Sequence, residues 1–444
     1  MSTAGPYAGV IESTEAMERT LAAGGGVVRL APAWVPRAFC SPGRRLKLHP
    51  NDYFPLAKDR GGIDERWLAS AVRAENGPLT DPYEGLSLVV DPEGGVIPFD
   101  EFVRHFNTQA IGELWETHRE WPMYSKFFDN QAPLPFHIHH RAEHAQRVGK
   151  APKPEAYYYP PQMNDHLGEL GITYFGLHPE VTREQVKDKL AAFLQGGDNR
   201  ITELSKGYRI TLGTGWDVPA GVLHAPASVC TYEPQAASDV FAMCESWSNH
   251  REVGDELLWK DVPAEHHGDL DYVVDLIDWE LNTDPNFWSS RFTPPVETSA
   301  SLAANSRDAD GAGDDDGGGA ASMTRSMPAG YTEKWITYRS EAFSAKELTV
   351  APGGSVTVAD QHCYGLIVVG GRGELIPRSG QPQVLESPSL IRYGQLTHDE
   401  YFVTAEAATE GVRVRNTSPG EDLVILKHFG PGNTELNADR HLLG

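Results

Sequence analysis

Polar and apolar residues alternate with a period of two over much of the chain, which predicts short strands. Residues 346–378, KELTVAPGGSVTVADQHCYGLIVVGGRGELIPR, switch between β-branched runs and Gly-rich turns, and residues 410–430, EGVRVRNTSPGEDLVILKHFG, close the same way. This region is expected to form a small antiparallel sandwich or barrel. Upstream, strands such as GLSLVVD and GYRITLG are mixed with helical pieces. The clearest helical period is TREQVKDKLAAFL, where Thr182 and Gln185 predict a capping box and Val186, Leu190, Phe193 and Leu194 share one face. Residues 298–330, TSASLAANSRDADGAGDDDGGGAASMTRSMPAG, carry too little apolar surface to offset the entropy of ordering. They are predicted to be a flexible acidic, Gly-rich linker. The expected organisation is one large unit at 1–297, that linker, and a smaller unit at 331–444.

Composition narrows the class. A chain of 444 residues is too long for one core, and its 10 Trp, 16 Tyr and 16 Phe are ample for two or three. Forty-four Gly and 32 Pro favour turns over long helices. A formal charge of −24 without a basic stripe argues against a nucleic-acid partner. No run approaches the roughly 18 apolar residues of a membrane span, and the acidic N-terminal stretch does not resemble a signal peptide. Cys40, Cys230, Cys244 and Cys363 form no C-x-x-C pair, so neither a disulfide framework nor a thiolate zinc knot is expected. A cytoplasmic protein fits these features.

The chemistry concentrates in PFHIHHRAEHAQRVGKAPKPEAYYYPP, residues 135–161. On a strand, His137 and His139 face the same side and Ile138 the other. Neutral imidazoles so placed are good ligands for zinc, manganese, iron or nickel. His140 and His144 fall off that alternation. Further ligands are expected from neighbouring strands: Glu155, which opens an aromatic strand after Pro154, and His224 behind a Pro-Ala-Gly turn. Glu143 competes with Glu155 for the carboxylate position.

His-x-His followed by an acid, then G-x(5)-P-x-G-x-x-H at Gly213, Pro219, Gly221 and His224, resembles the two metal motifs of the cupin barrel. Within that superfamily, YSKFFDNQAPLPFHIHHRAEHA, KPEAYYYPP and VPAGVLHAPASVCTYEPQAASD are similar to segments of type I mannose-6-phosphate isomerases. The resemblance implies a mainly β chain, with a metal-binding cupin barrel carrying helical insertions and a second, degenerate cupin. It implies one divalent ion, zinc first, held by His139, Glu155 and His224, with His137 in place of the family's Gln. Glu143 stands at the acidic position of simple cupins, whereas Lys-Pro-Glu matches the isomerase branch and favours Glu155. Lys153 falls on the substrate or proton-transfer side, Glu233 at the acid/base position, and Lys126 and Asp239 among the substrate-binding groups. The implied reaction is aldose–ketose isomerisation of a sugar or sugar phosphate through a cis-enediolate.

One position departs from the family. Four residues beyond Asp239, an Arg is replaced by Met243. A thioether can neither pair with phosphate nor offset a developing oxyanion, so an unphosphorylated sugar gains weight. A metal-dependent cupin dioxygenase and a non-catalytic sugar-binding cupin remain as alternatives. His266 and His267 read as solvated. The C-terminal unit, despite His362 and His398, offers no histidine near Ala408–Gly411 and is expected to be metal-free. Its edge strands would be covered by the first unit or by a second copy of the chain.

Overall fold

The structure is a computed structural model that describes residues 9–56, 58–164, 168, 170–310 and 330–443. Its strand Met123–Phe128, MYSKFF, has no water-facing side: all its residues are buried. Tyr124, Lys126 and Phe128 turn one way and Met123, Ser125 and Phe127 the other. The strand lies in a seven-stranded antiparallel sheet. The order is Phe292–Thr293, Gly215–Val218, Glu155–Tyr158, Thr231–Ala236, Met123–Phe128, Gly62–Leu68, Ala33–Arg37. One face of this sheet meets a five-stranded sheet across Phe128, Tyr157, Phe175 and Val222. The five strands run in the order Ser205–Arg209, Ile172–Leu177, His224–Ala225, His137–Ile138, Ala242–Met243. The opposite face packs on the C-terminal region, where Trp34, Leu68, Phe127, Tyr158 and Tyr232 share a core with Ile336, Ile367, Val369 and Leu426. Both faces are therefore dry.

The C-terminal region repeats the two-sheet plan. A nine-stranded sheet and a four-stranded sheet enclose Leu348, Leu366, Val368, Leu375, Val414 and Ile425. Two buried lysines there are matched by carboxylates: Lys427 stands 2.6 Å from Glu333 and 2.7 Å from Asp360, and Lys346 2.8 Å from Asp360. The stretch 405–410, near which a metal position was sought, is a helix, Ala405–Glu410. His362 pairs with Thr434 and His398 with Arg29, so each has its own neighbour.

Helical insertions are present. Helix Arg183–Phe193 has the predicted capping box and buries Val186, Leu190 and Phe193. Leu194 departs from the expected face: it is the C-cap residue, past the last turn, and is 43% exposed. No helix of the described residues is long and apolar enough to cross a membrane.

Two boundaries differ from expectation. The presumed linker starts as a helix, Ser299–Asp310. Small polar residues dock it: Ser301 donates to Glu297 at 2.6 Å and accepts from the Glu333 amide at 3.2 Å, and Thr298 and Ser301 are buried. Hydrogen bonds supply there what apolar area could not. The linker residues 311–329 lie outside the described residues. The second difference concerns the N-terminus, whose strand Val27–Ala31 pairs with Glu400–Val403 and so belongs to the nine-stranded sheet of the C-terminal region. A division at 298–330 therefore cuts across a continuous sheet. Arg66 adds ion pairs to Asp399 at 2.7 Å and Glu400 at 3.0 Å, buried between the two regions. A protease site engineered near residue 318 and cut to completion should leave both fragments co-eluting as one particle on gel filtration. Separate elution without denaturant would contradict this packing.

Candidate metal centre

Two imidazoles meet because their strands pair. His137 and His224 are register partners in the five-stranded sheet, with ring centroids 4.1 Å apart. His139 completes the group, its ring 5.1 Å from each. Each Nδ1 faces a backbone carbonyl: His137 that of Pro135 at 2.7 Å, His139 that of Val240 at 2.7 Å, His224 that of Val222 at 2.8 Å. A carbonyl only accepts, so all three Nδ1 atoms carry the proton and each Nε2 keeps its lone pair. Burial and the neighbouring imidazoles hold His137 well below its ordinary pKa, and burial and Lys153 hold His139 down at about 3. His137 and His139 are thus held neutral at physiological pH, as a metal ligand requires.

Glu155 enters from the facing sheet. Its Oε2 lies 2.9 Å from His139 Nε2 and its Oε1 3.0 Å from His224 Nε2. These are acceptors against acceptors. Lys153 Nζ stands 3.1 Å from both Glu155 Oε2 and His139 Nε2, but buried His224 Nε2 has no hydrogen-bond partner and faces a carboxylate oxygen, an arrangement that costs free energy unless a cation lies between them. Burial would raise the Glu155 pKa, yet Lys153, His139 and His224 hold it well below the usual carboxylate range. Tyr157 donates to Oε1 at 2.6 Å and fixes the carboxylate. Three imidazoles and one carboxylate, with the His224 Nε2 acceptor orphaned among them, fit a divalent metal. Among the described residues, His137, His139 and His224 form such a donor group within 4.8 Å. Glu143 lies elsewhere, half-exposed and paired with Arg141 at 3.0 Å. His140 is buried beside Asp261, and His144 packs edge-on to Tyr272.

Beyond the ligands, charge alternates across the seven-stranded sheet. Lys153 Nζ is 3.1 Å from Glu155 Oε2 and 3.7 Å from Glu233 Oε1. Glu233 is the register partner of Lys126, 3.2 Å away, and Lys126 reaches Glu65 at 3.1 Å. Arg37 closes the row, bonding Glu65 at 3.1 Å and Asp239 at 3.2 Å. Burial, then the charge of Glu155, pushes the Glu233 carboxyl up to about 8 against the pull of Lys126 and Lys153. Burial would lift the Asp239 pKa too, but Arg37 and Lys260 hold it far down. Within this row Glu233 can therefore exchange a proton near neutrality while Asp239 stays ionised.

No protein-family model and no curated protein sequence matches the chain. Solved structures do. A mutant phosphomannose isomerase of Salmonella typhimurium aligns with a TM-score of 0.60 at 12% identity, over 92% of this chain and 100% of that one. A putative mannosephosphate isomerase of Archaeoglobus fulgidus gives 0.56 at 14%, over 91% and 98%. A mannose 6-phosphate isomerase bound with zinc and yttrium gives 0.56 at 11%, over 92% and 100%. The chain has the mannose-6-phosphate isomerase fold. The cupin-type, mainly β architecture inferred from the motifs is thereby present over nearly the whole chain, and at these identities the likeness concerns the fold.

Within that fold the structure brings His137, His139, His224, Glu155, Lys153, Glu233 and Lys126 together, and ties Asp239 to them through Arg37. Met243 pairs in register with His137 and is buried, so the thioether stands on the same face of the sheet as that imidazole. Arg37, Glu65 and Tyr157 were missed by sequence reasoning. Their signal was faint but present: AWVPR and GIDERWL place charged residues in strands buried at every position, and a buried charge needs partners.

Proposed function

We propose that the protein is a metal-dependent aldose–ketose isomerase. The observation that carries this reading is the placing of Glu233: a buried carboxyl 3.2 Å from Lys126 and 3.7 Å from Lys153, set beside the candidate metal group. His137, His139, His224 and Glu155 would hold the ion, and zinc is the first candidate because a structural neighbour binds it. When bound, such an ion supplies Lewis acidity to adjacent sugar oxygens. Glu233, as carboxylate, takes the proton from one of the two adjacent carbons and, as carboxylic acid, returns it to the other. Lys153 offsets the negative charge that the sugar oxygens gain between those transfers. Lys126, fixed by Glu65, holds Glu233 in place. Sealing these groups from bulk water strengthens each of these interactions.

An unphosphorylated sugar is the substrate class this reading favours. Lys126 faces Glu65, Lys153 faces Glu155, and Arg37 and Lys260 face Asp239, each within 4.0 Å. Together with the thioether of Met243, this leaves no uncompensated cation in that group for a phosphate dianion. Loss of one charge-assisted contact weakens binding about ten- to a hundredfold. With equal metal loading, kcat/KM for free mannose should equal or exceed that for mannose 6-phosphate. A tenfold or greater preference for the ester would overturn the substrate assignment.

A further inference from the structure

Every group assigned to the centre is shut away from solvent. None of His137, His139, His224, Glu155, Lys153, Glu233, Lys126 and Asp239 is more than 7% exposed. A sugar therefore reaches them only if part of the protein moves. Residues 69–87 link strand Gly62–Leu68 to strand Leu88–Val90 without a helix or strand of their own, a length at which loops in compact domains are commonly functional.

The base of this loop is fixed. Glu84, buried, takes Arg60 at 2.6 Å, its carbonyl accepts from the Ala74 amide at 2.8 Å, and Ser87 and Ser70 pair at 2.9 Å. The tip is different. Asn76 Oδ1 accepts from Arg37, the outer member of the charged row, at 2.9 Å. Glu75, its side chain 53% exposed, reaches across to Lys150 at 2.6 Å and stands 3.9 Å from Lys260. Those lysines are anchored outside the loop: Lys150 pairs with Asp261 at 2.8 Å, and Lys260 lies 3.8 Å from Asp261 and 3.9 Å from Asp239. Gly77 follows at φ 84° with no atom near the place of a side chain, leaving room to swing. Ala74 is buried with Trp67 and Tyr124 and belongs to the base; beyond it, a tip at 75–77 held by polar contacts and a sealed centre joined to it through Arg37 are the parts of a gate.

We infer that residues 75–77 form a gate over the metal centre, latched by the ion pairs of Glu75 with Lys150 and Lys260. Opening breaks those pairs and the two hydrogen bonds that tie Asn76 to Arg37 and to the Pro36 carbonyl, at 2.9 and 3.1 Å, while Asn76 keeps its 2.6 Å bond to Glu84. The inference extends the isomerase reading, since a gate serves a small polar solute that must reach Glu233, but its test needs no turnover. Metal-free protein is treated with diethyl pyrocarbonate, and modification of His137, His139 and His224 is followed by peptide mass spectrometry. An exposed ion pair is worth a factor of about two to five, so E75Q should raise the rate by that much. K150M should act alike, and the double variant should be no faster than E75Q. Salt at 0.5 M should speed the wild type and leave E75Q unchanged. E116Q, which removes a surface pair with Arg119 elsewhere, is the control. An E75Q rate equal to that of E116Q overturns the gate. So does faster amide exchange at 75–77 without faster histidine modification, because solutes would then reach the centre by another route. Absence of isomerase activity would leave this result standing.

Discussion

H224A should purify without its metal. The wild-type chain should carry about one divalent ion, and removing one of four ligands should weaken binding at least a hundredfold, since even groups that only orient a ligand are worth about 10- to 100-fold. The geometry makes the effect specific. His224 Nε2 faces Glu155 Oε1 at 3.0 Å with its Nδ1 proton committed to Val222, so no other lone pair can replace it. E155Q should also lose the ion, because an amide brings no charge to three neutral imidazoles. E143Q should keep it, since Glu143 lies half-exposed against Arg141. Elemental analysis of the three variants decides the matter. An ion retained by H224A, or lost from E143Q and kept by E155Q, would remove the proposed ligand set.

E233Q should keep the metal and lose turnover by roughly 10²- to 10⁴-fold, the usual worth of a positioned acid–base group. The same variant carries a second signature. In the folded metal-free protein, burial and Glu155 raise the Glu233 pKa from 4.5 to about 8. The folded state then binds a proton that the unfolded state has released. Stability from this group is complete below about pH 4.5 and is lost as pH rises toward 8, at up to about 1.4 kcal/mol per pH unit. E233Q, neutral throughout, should flatten that slope in urea unfolding between pH 5 and 8. An unchanged slope would mean that Glu233 is ionised in the folded chain.

How much of this was legible in the sequence depended on how locally each group is specified. His137 and His139 are two residues apart on one strand, so strand parity aligned them, while Glu155 and His224, behind short Pro- and Gly-marked turns, were joined to them by the resemblance of KPEAYYYPP and VPAGVLHAP to the isomerase segments. Arg37 and Glu65 could not be found in that way. Their strands meet Lys126 and Glu233 only through the register of a four-strand stack, which no local pattern encodes. GIDERWL reads like a polar edge strand, yet both its faces are buried, one by the centre and one by the C-terminal sheets. The role of Val27–Ala31 was hidden for the same reason, since its partner lies near residue 402. Composition misjudged the start of the linker because Thr298 and Ser301 are ordered through hydrogen bonds to Glu297 and Glu333, a contribution that apolar content does not register.

The central claim is that Glu233 moves a proton between adjacent carbons of a sugar beside a metal held by His137, His139, His224 and Glu155. Its most direct test is NMR of mannose and fructose incubated with the metal-loaded protein in D₂O. The account predicts interconversion of the two sugars with deuterium appearing at C1 or C2, abolished in E233Q at unchanged metal content. Interconversion without deuterium, oxygen consumption, or labelling that persists undiminished in E233Q would contradict it.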